Sequence, residues 1–341
     1  MDIKSLCFSL SEKIGTSGDE SQAALFAEEL LSEYMKTKID RLGNVIGTTD
    51  NNGVHILLDA HIDEVGLVVR GFDEKGFILV DKAGSPDPRV LTGAEVIVCG
   101  KENLFGVICS TPPHLQKNSS SDDTIEISAL AVDVGLSKEK VEQIVEIGDR
   151  IAFKPFQGEL LNDNLVSCSF DDRAGVAVIL RALEMVKGKL NNIKVSVAFS
   201  VQEETGGSGA KTASFATSPD YAIAIDVGFG EDPYTDKAET IILGKGPSIG
   251  ISPTLDKAFI KELIAICKEN EIPYQHDVMG GRTGTNADSI NISGSGVKTA
   301  LLSVPLRYMH TGNEIINVND IENTARVIAE YLLKKDGECN A

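Results

Sequence analysis

Between about residues 68 and 158 the chain is built from short alternating apolar runs, and outside that window it is not. Gly76–Val80, Glu95–Cys99, Phe105–Ser110, Thr124–Val132 and Asp149–Phe153 follow one another there, separated by Gly, Pro and Asp turns. Alternation with period two is the signature of a half-buried strand, and closely spaced turn residues leave no room for long helices. One short helix candidate, Lys138–Val145, interrupts the series, and the Ser/Asp-rich Lys117–Asp123 reads as an exposed loop. The window predicts a small β-rich domain at 68–158.

The flanks have a different texture. Glu20–Lys36 carries Ala24, Leu25, Ala27, Leu30, Leu31 and Tyr34 at helical spacing, and His55–His61 reads as a short buried strand ending in polar residues. After about residue 160 strand, loop and helix alternate. Ile193–Val201, Tyr221–Asp226 and Lys298–Val304 read as strands, and Ala174–Val186 and Asp256–Lys268 as helices. Asn319–Lys334 closes the chain as a helix, with Asn319 as N-cap and Glu322 three residues on. Such alternation predicts an α/β domain with a mainly parallel sheet flanked by helices. It would comprise residues 1–67 plus 159–341, with the β-rich domain inserted between.

Charge narrows the function. The 341 residues hold 51 Asp+Glu against 32 Lys+Arg, a formal net charge of −19. Nucleic acid or an anionic membrane is excluded as the main partner, because phosphate binding needs a Lys/Arg-rich surface. The six cysteines are scattered without a CxxC pair, as expected for reduced thiols of a cytoplasmic protein. No run approaches the roughly 18 apolar residues of a membrane span, and no signal sequence opens the chain.

Five places then repeat one arrangement: a residue with metal-ligand chemistry where an apolar run gives way to a loop. They are His61-Ile-Asp63-Glu64, Asp171-Asp172-Arg173, Glu203-Glu204, Asp226 and His310. Ligands of open α/β sheets bind beyond the carboxyl ends of the strands, so these positions can converge. Each has a bland explanation alone: a strand-end histidine, an N-cap, a solvated acidic turn. Adjacent carboxylates at the end of a core strand are harder to explain by packing. One can hold a metal while its neighbour moves a proton. Two imidazoles and three carboxylates suit borderline divalent ions such as Zn²⁺, Co²⁺ or Mn²⁺. Two such ions would exceed three carboxylates in charge and favour a bound hydroxide at neutral pH. In a two-metal site one carboxylate bridges the pair. Asp63, two residues after His61, is placed to fix the imidazole's tautomer.

The segments DAHIDEVGLVV, SFDDRAGVAVIL, VQEETGGSGA, AIAIDVG and RYMHTGNEI resemble five signature segments of a known family, the tetrahedral (TET) type of cocatalytic metallo-aminopeptidases. This is peptidase family forty-two, zinc-peptidase-like in fold, which includes glutamyl aminopeptidases and proteins labelled endoglucanase M. DPRVLTG at 87–93 and PPHL at 112–115 extend the resemblance into the inserted domain. It implies that His61 and Asp226 bind one metal, Glu204 and His310 the other, and that Asp171 bridges them. It further implies Glu203 as general base, Asp63 as partner of His61, and metal-bound water as the nucleophile that removes the N-terminal residue of a peptide. Assembly into dimers and a hollow dodecamer through the inserted domain is the remaining implication.

Two features depart from the pattern. The loop before DPRV reads Gly84-Ser85-Pro86, without a bulky aromatic, and Arg282-Thr-Gly-Thr-Asn-Ala-Asp288 is Gly/Thr-rich. Arg282 is a candidate for recognising an acidic N-terminal residue. The alternatives are a dinuclear deacylase or carboxypeptidase, a glycosidase, and a non-catalytic assembly module. A glycosidase fits poorly, since the chain has no tryptophan and only 5% aromatic residues on which a sugar could stack. A non-catalytic module fits poorly because every candidate position is filled.

Overall fold

The computed structural model describes residues 2–112, 125–236 and 240–339. The expected Lys117–Asp123 loop and most of the PPHL segment lie outside these residues. Strands β1 (Lys36–Ile39), β2 (Val45–Thr48) and β3 (His55–His61) begin a large sheet. The chain then leaves it for β4 (Gly66–Phe72), β5 (Ile78–Ala83), β6 (Glu95–Cys99), β7 (Asn103–Cys109), β8 (Ala131–Asp133) and β9 (Arg150–Phe153). It returns as β10 (Gly158–Leu160), β11 (Asn164–Ser167), β12 (Lys194–Ser200), β13 (Tyr221–Phe229), β14 (Ser248–Ile251), β15 (Gln275–Val278), β16 (Lys298–Arg307) and β17 (Glu314–Asn317).

The heart of the large sheet is parallel: β12, β3, β13 and β16 lie side by side in that order. Every residue of β3 is buried, and so are six of the seven in β12. Continuous apolar runs of this kind belong to strands covered on both faces. The expectation of a mainly parallel sheet needs correction, because all outer pairings but the parallel β14–β15 are antiparallel: β1 with β2, β2 with β12, β14 with β16, β16 with β17, β17 with β11, and β11 with β10. For the sequence neighbours β1–β2, β10–β11 and β16–β17 the cause is connection length. A parallel neighbour needs a crossover of a dozen or more residues, whereas a tight turn reverses the chain. Asp40 shapes one such turn, its Oδ1 accepting from the amides of Leu42, Gly43 and Asn44.

The helices are α1 (Ile3–Ser11), α2 (Ser21–Ser32), α3 (Lys138–Ile144), α4 (Phe170–Val186), α5 (Ser208–Thr217), α6 (Lys257–Glu269), α7 (Ala287–Ile290) and α8 (Val318–Glu338). α4 packs on β3 and β13 with α1 and α8 beside it, while α5 covers β12 and β3. α1 went unpredicted; Asp2 caps it and Leu6 and Leu10 are buried. α6 starts where expected, Asp256 accepting from the Phe259 amide. The cap of α8 is Asn317, which accepts from Asn319, and not Asn319 itself.

Strands β4, β5, β8, β7, β6 and β9 close into an antiparallel barrel. Its apolar core includes Leu67, Val80, Val98, Ile108, Val132 and Ile151, with Val141 of α3, and is separate from the core of the large sheet. The barrel leans on the rest through Arg150, whose Nε donates to the Ser17 carbonyl at 2.9 Å. Its 84–88 loop reaches further, the Asp87 amide donating to the His310 carbonyl at 3.0 Å.

Candidate active site

The register of the parallel strands decides which residues meet. Ser200 pairs with His61 across β12 and β3, and Ala224 with Asp59 across β13 and β3. Asp226 therefore stands level with His61, and Glu203 and Glu204 follow just past the end of β12. His310 follows β16, and Asp171 opens α4 after β11. The turns that aim these side chains are left-handed at non-glycine residues: Ser169 (φ 61°), Gln202 (58°), Tyr308 (63°) and His310 (64°). Such conformations cost roughly 1–3 kcal/mol each and persist where surrounding structure enforces them. The turn at Gln202 lets two consecutive glutamates face one cleft.

Two overlapping ligand groups result. His61, Asp171 and Asp226 offer donor atoms within 4.8 Å of one another, and so do Asp171, Glu204 and His310. Asp171 is common to both. Its Oδ1 lies 3.0 Å from His61 Nε2, and its Oδ2 lies 3.4 Å from His310 Nε2. Glu204 Oε2 is 3.4 Å from the same His310 nitrogen, and Asp226 Oδ1 is 4.0 Å from His61 Nε2. Glu203 lines the same cavity, of about 550 Å³, as does Arg282 on its exposed side.

Supporting contacts hold this geometry. Asp63 accepts from the amides of Glu203 and Glu204, one per carboxylate oxygen, at 3.0 and 3.1 Å. Its expected bond to His61 takes a different form: the Nδ1 sits 3.1 Å from the Asp63 carbonyl and 3.5 Å from its carboxylate. Glu314 went unnoticed in the sequence, although it stands four residues after His310. Its two oxygens accept from the amides of Asp171 and His310, each at 3.0 Å. Asp172 accepts from Gly175 and, at 3.3 Å, from the His61 amide. Arg173 is only 1% exposed and points away from the cleft. Its guanidinium donates to the carbonyls of Ile62, Leu10 and Lys13, tying α1 to the end of β3.

The electrostatics show what the cluster lacks. Burial pushes Glu203 up to about 7 and lifts Glu204 and Asp226 well above the usual carboxylate range. Asp171 is held low in spite of its burial, by hydrogen bonds from His310 and His61. Among the described residues no Lys or Arg forms an ion pair with Asp63, Asp171, Glu203, Glu204 or Asp226. Buried carboxylates need a paired cation or a metal. Imidazole nitrogen and carboxylate oxygen in this ratio fit divalent ions such as zinc.

A family model described as M42 glutamyl aminopeptidase matches residues 43–327. The chain belongs to this family. The lysyl aminopeptidase of Pyrococcus furiosus is 32% identical, the match covering 95% of this chain and 94% of that protein. Among solved structures, an aminopeptidase from the archaeon Desulfurococcus kamchatkensis superposes with a TM-score of 0.91 at 32% identity, covering 99% of this chain and 98% of that one. The TET1 peptidase of Pyrococcus horikoshii, which can assemble into a tetrahedron or a large octahedral shell, gives 0.86 at 31% identity, covering 98% and 100%. The M42 protein described here is thus an aminopeptidase, a hydrolase of peptide bonds. M42 peptidases are metal-dependent, in keeping with the donor groups of the cleft. No helix among the described residues is long and apolar enough to cross a membrane.

Proposed function

We propose that this enzyme removes the N-terminal residue of peptides at a site for two divalent ions. His61 and Asp226 hold one, Glu204 and His310 the other, and Asp171 serves both. Asp171 carries the reading, because its two carboxylate oxygens face two imidazoles of two separate ligand groups. Zinc or cobalt, and then manganese, match the donors. When bound, such a pair lowers the pKa of a coordinated water from 15.7 towards roughly 7 and polarises the scissile carbonyl.

The chain's own residues supply the rest. Glu203 is the general base: it takes the proton of the attacking water and returns it to the leaving nitrogen. Its burial lifts its proton affinity towards neutrality, where a base works best. Asp63 fixes the backbones of both glutamates by their amides, so that the ligand and the base keep their places relative to each other. Glu314 does the same for the backbones of Asp171 and His310.

The proposal divides the chain into a catalytic part, 1–67 plus 159–341, and an inserted part, 68–158. Self-association into dimers and a dodecamer is assigned to this chain, in keeping with the shell-forming and dodecameric TET1 structures, and the inserted barrel is the part proposed to make the contacts. Six unpaired cysteines support a reducing, cytoplasmic setting. Aminoacyl-4-nitroanilides with free and N-acetylated amines provide the test. Release of nitroaniline confined to the free amine is expected, and release of acetate from the acetylated series with the anilide left intact points to a deacylase instead.

A further inference from the structure

The cavity beside the ligand groups is also lined by Asp277, Met279 and Leu301. Most of its carboxylates have work to do. Asp171, Glu204 and Asp226 are spent on ions and Glu203 on the proton. Asp288 accepts from the amides of Thr283 and Gly284 and so closes its own loop. Asp277, half-buried on β15, has neither a side-chain hydrogen bond nor an ion pair among the described residues. Burial alone pushes its carboxyl up, with nothing nearby to offset the cost.

We propose that Asp277 makes the subsite for the substrate's N-terminal side chain selective for a cation, so that Lys and Arg are preferred. This rests on the aminopeptidase reading above. Met279 and Leu301 provide apolar wall for the methylene stem of such a side chain, while the charged head meets the carboxylate. Gly250 stands opposite Asp277 in the β14–β15 register. A Cβ there would fall 3.1 Å from Leu301 and 3.2 Å from Met279, so glycine leaves these walls their room. Arg282, the sequence candidate for acidic substrates, is the weaker determinant. It is exposed on a loop containing Gly280, Gly281 and Gly284, where water and salt screen it, whereas Asp277 is fixed in a strand.

The test compares kcat/KM for the Lys, Arg, Leu and Glu nitroanilides on the metal-loaded enzyme. Lys and Arg should exceed Glu, and Asp277→Asn should lower the Lys-to-Leu ratio about tenfold or more, chiefly through KM. Asp277→Glu should restore part of that ratio. A second reading uses the unaltered enzyme: Lys turnover should fall with added salt more steeply than Leu turnover. A wild-type preference for Glu, or an Asp277→Asn ratio equal to wild type, overturns the assignment. Failure of the underlying reading looks different, since no free-amine substrate would then be turned over.

Discussion

Glu314→Gln keeps the shape of a side chain that is 2% exposed and halves its capacity as an acceptor. Each carboxylate oxygen now takes one backbone amide, from Asp171 and from His310, at 3.0 Å. A carboxamide has one acceptor oxygen, so one of the two amides must face an NH₂ group. Losing a hydrogen bond to a charged acceptor costs about 1.5–3 kcal/mol, and the orphaned amide adds to it. Burial already holds the Glu314 carboxyl well above its ordinary range, so a neutral side chain recovers part of that cost. The net loss of about 1.4–2.8 kcal/mol falls on the two backbones that aim ligands, and corresponds to roughly 10- to 100-fold in ion affinity. Competition against a chromogenic chelator measures it, with hydrolysis at excess ion as a companion assay. Glu314→Asp separates position from charge: it keeps the charge, withdraws the oxygens by one methylene, and should also bind weakly. Wild-type ion affinity in Glu314→Gln refutes the reasoning, and wild-type affinity in Glu314→Asp alone reduces Glu314 to a distant charge.

Four further variants probe the other roles. Glu203→Gln should retain its ions while kcat falls by about 10²–10⁴, the range of a lost general base; loss of an ion instead would make Glu203 a ligand. Asp171→Asn should weaken both ion sites whereas Asp226→Asn weakens one, as read by metal analysis after gel filtration. Arg173→Met removes the guanidinium donors from the carbonyls of Ile62, Leu10 and Lys13, leaving Leu10 with the Lys13 amide alone, at a cost of at least about 2 kcal/mol. Its melting temperature should drop clearly, and an unchanged melt would show that water replaces the guanidinium.

The sheet's parallel heart was legible because Ile56, Leu57 and Leu58 of β3, Ala222–Ile225 of β13 and the alternating apolar residues of β12 read as strands between helical segments. The candidate ligands His61 and Glu204 and the candidate base Glu203 were legible for a related reason, since they stand where those strands end and packing would favour another apolar residue. Short edge strands such as β1, mostly exposed, offer no such contrast, and their antiparallel pairing follows from turns. Glu314 and Asp63 act through backbone amides, and an acceptor's partner is not encoded by spacing. Arg173 stands just before the helix expected at Ala174–Val186, in a run whose bland explanation was an N-cap; only the fold reveals three carbonyls around it. The left-handed turns at Gln202 and Tyr308 run against the preference of those residue types, so nothing local announces them.

The central claim is that Asp171 joins two ion sites in one cleft. Metal analysis of protein stripped with chelator, reloaded with zinc or cobalt and freed of excess by gel filtration addresses it directly. The account predicts saturation near two ions per chain, with full peptide hydrolysis returning only with both. Saturation at one ion per chain with full activity would contradict it.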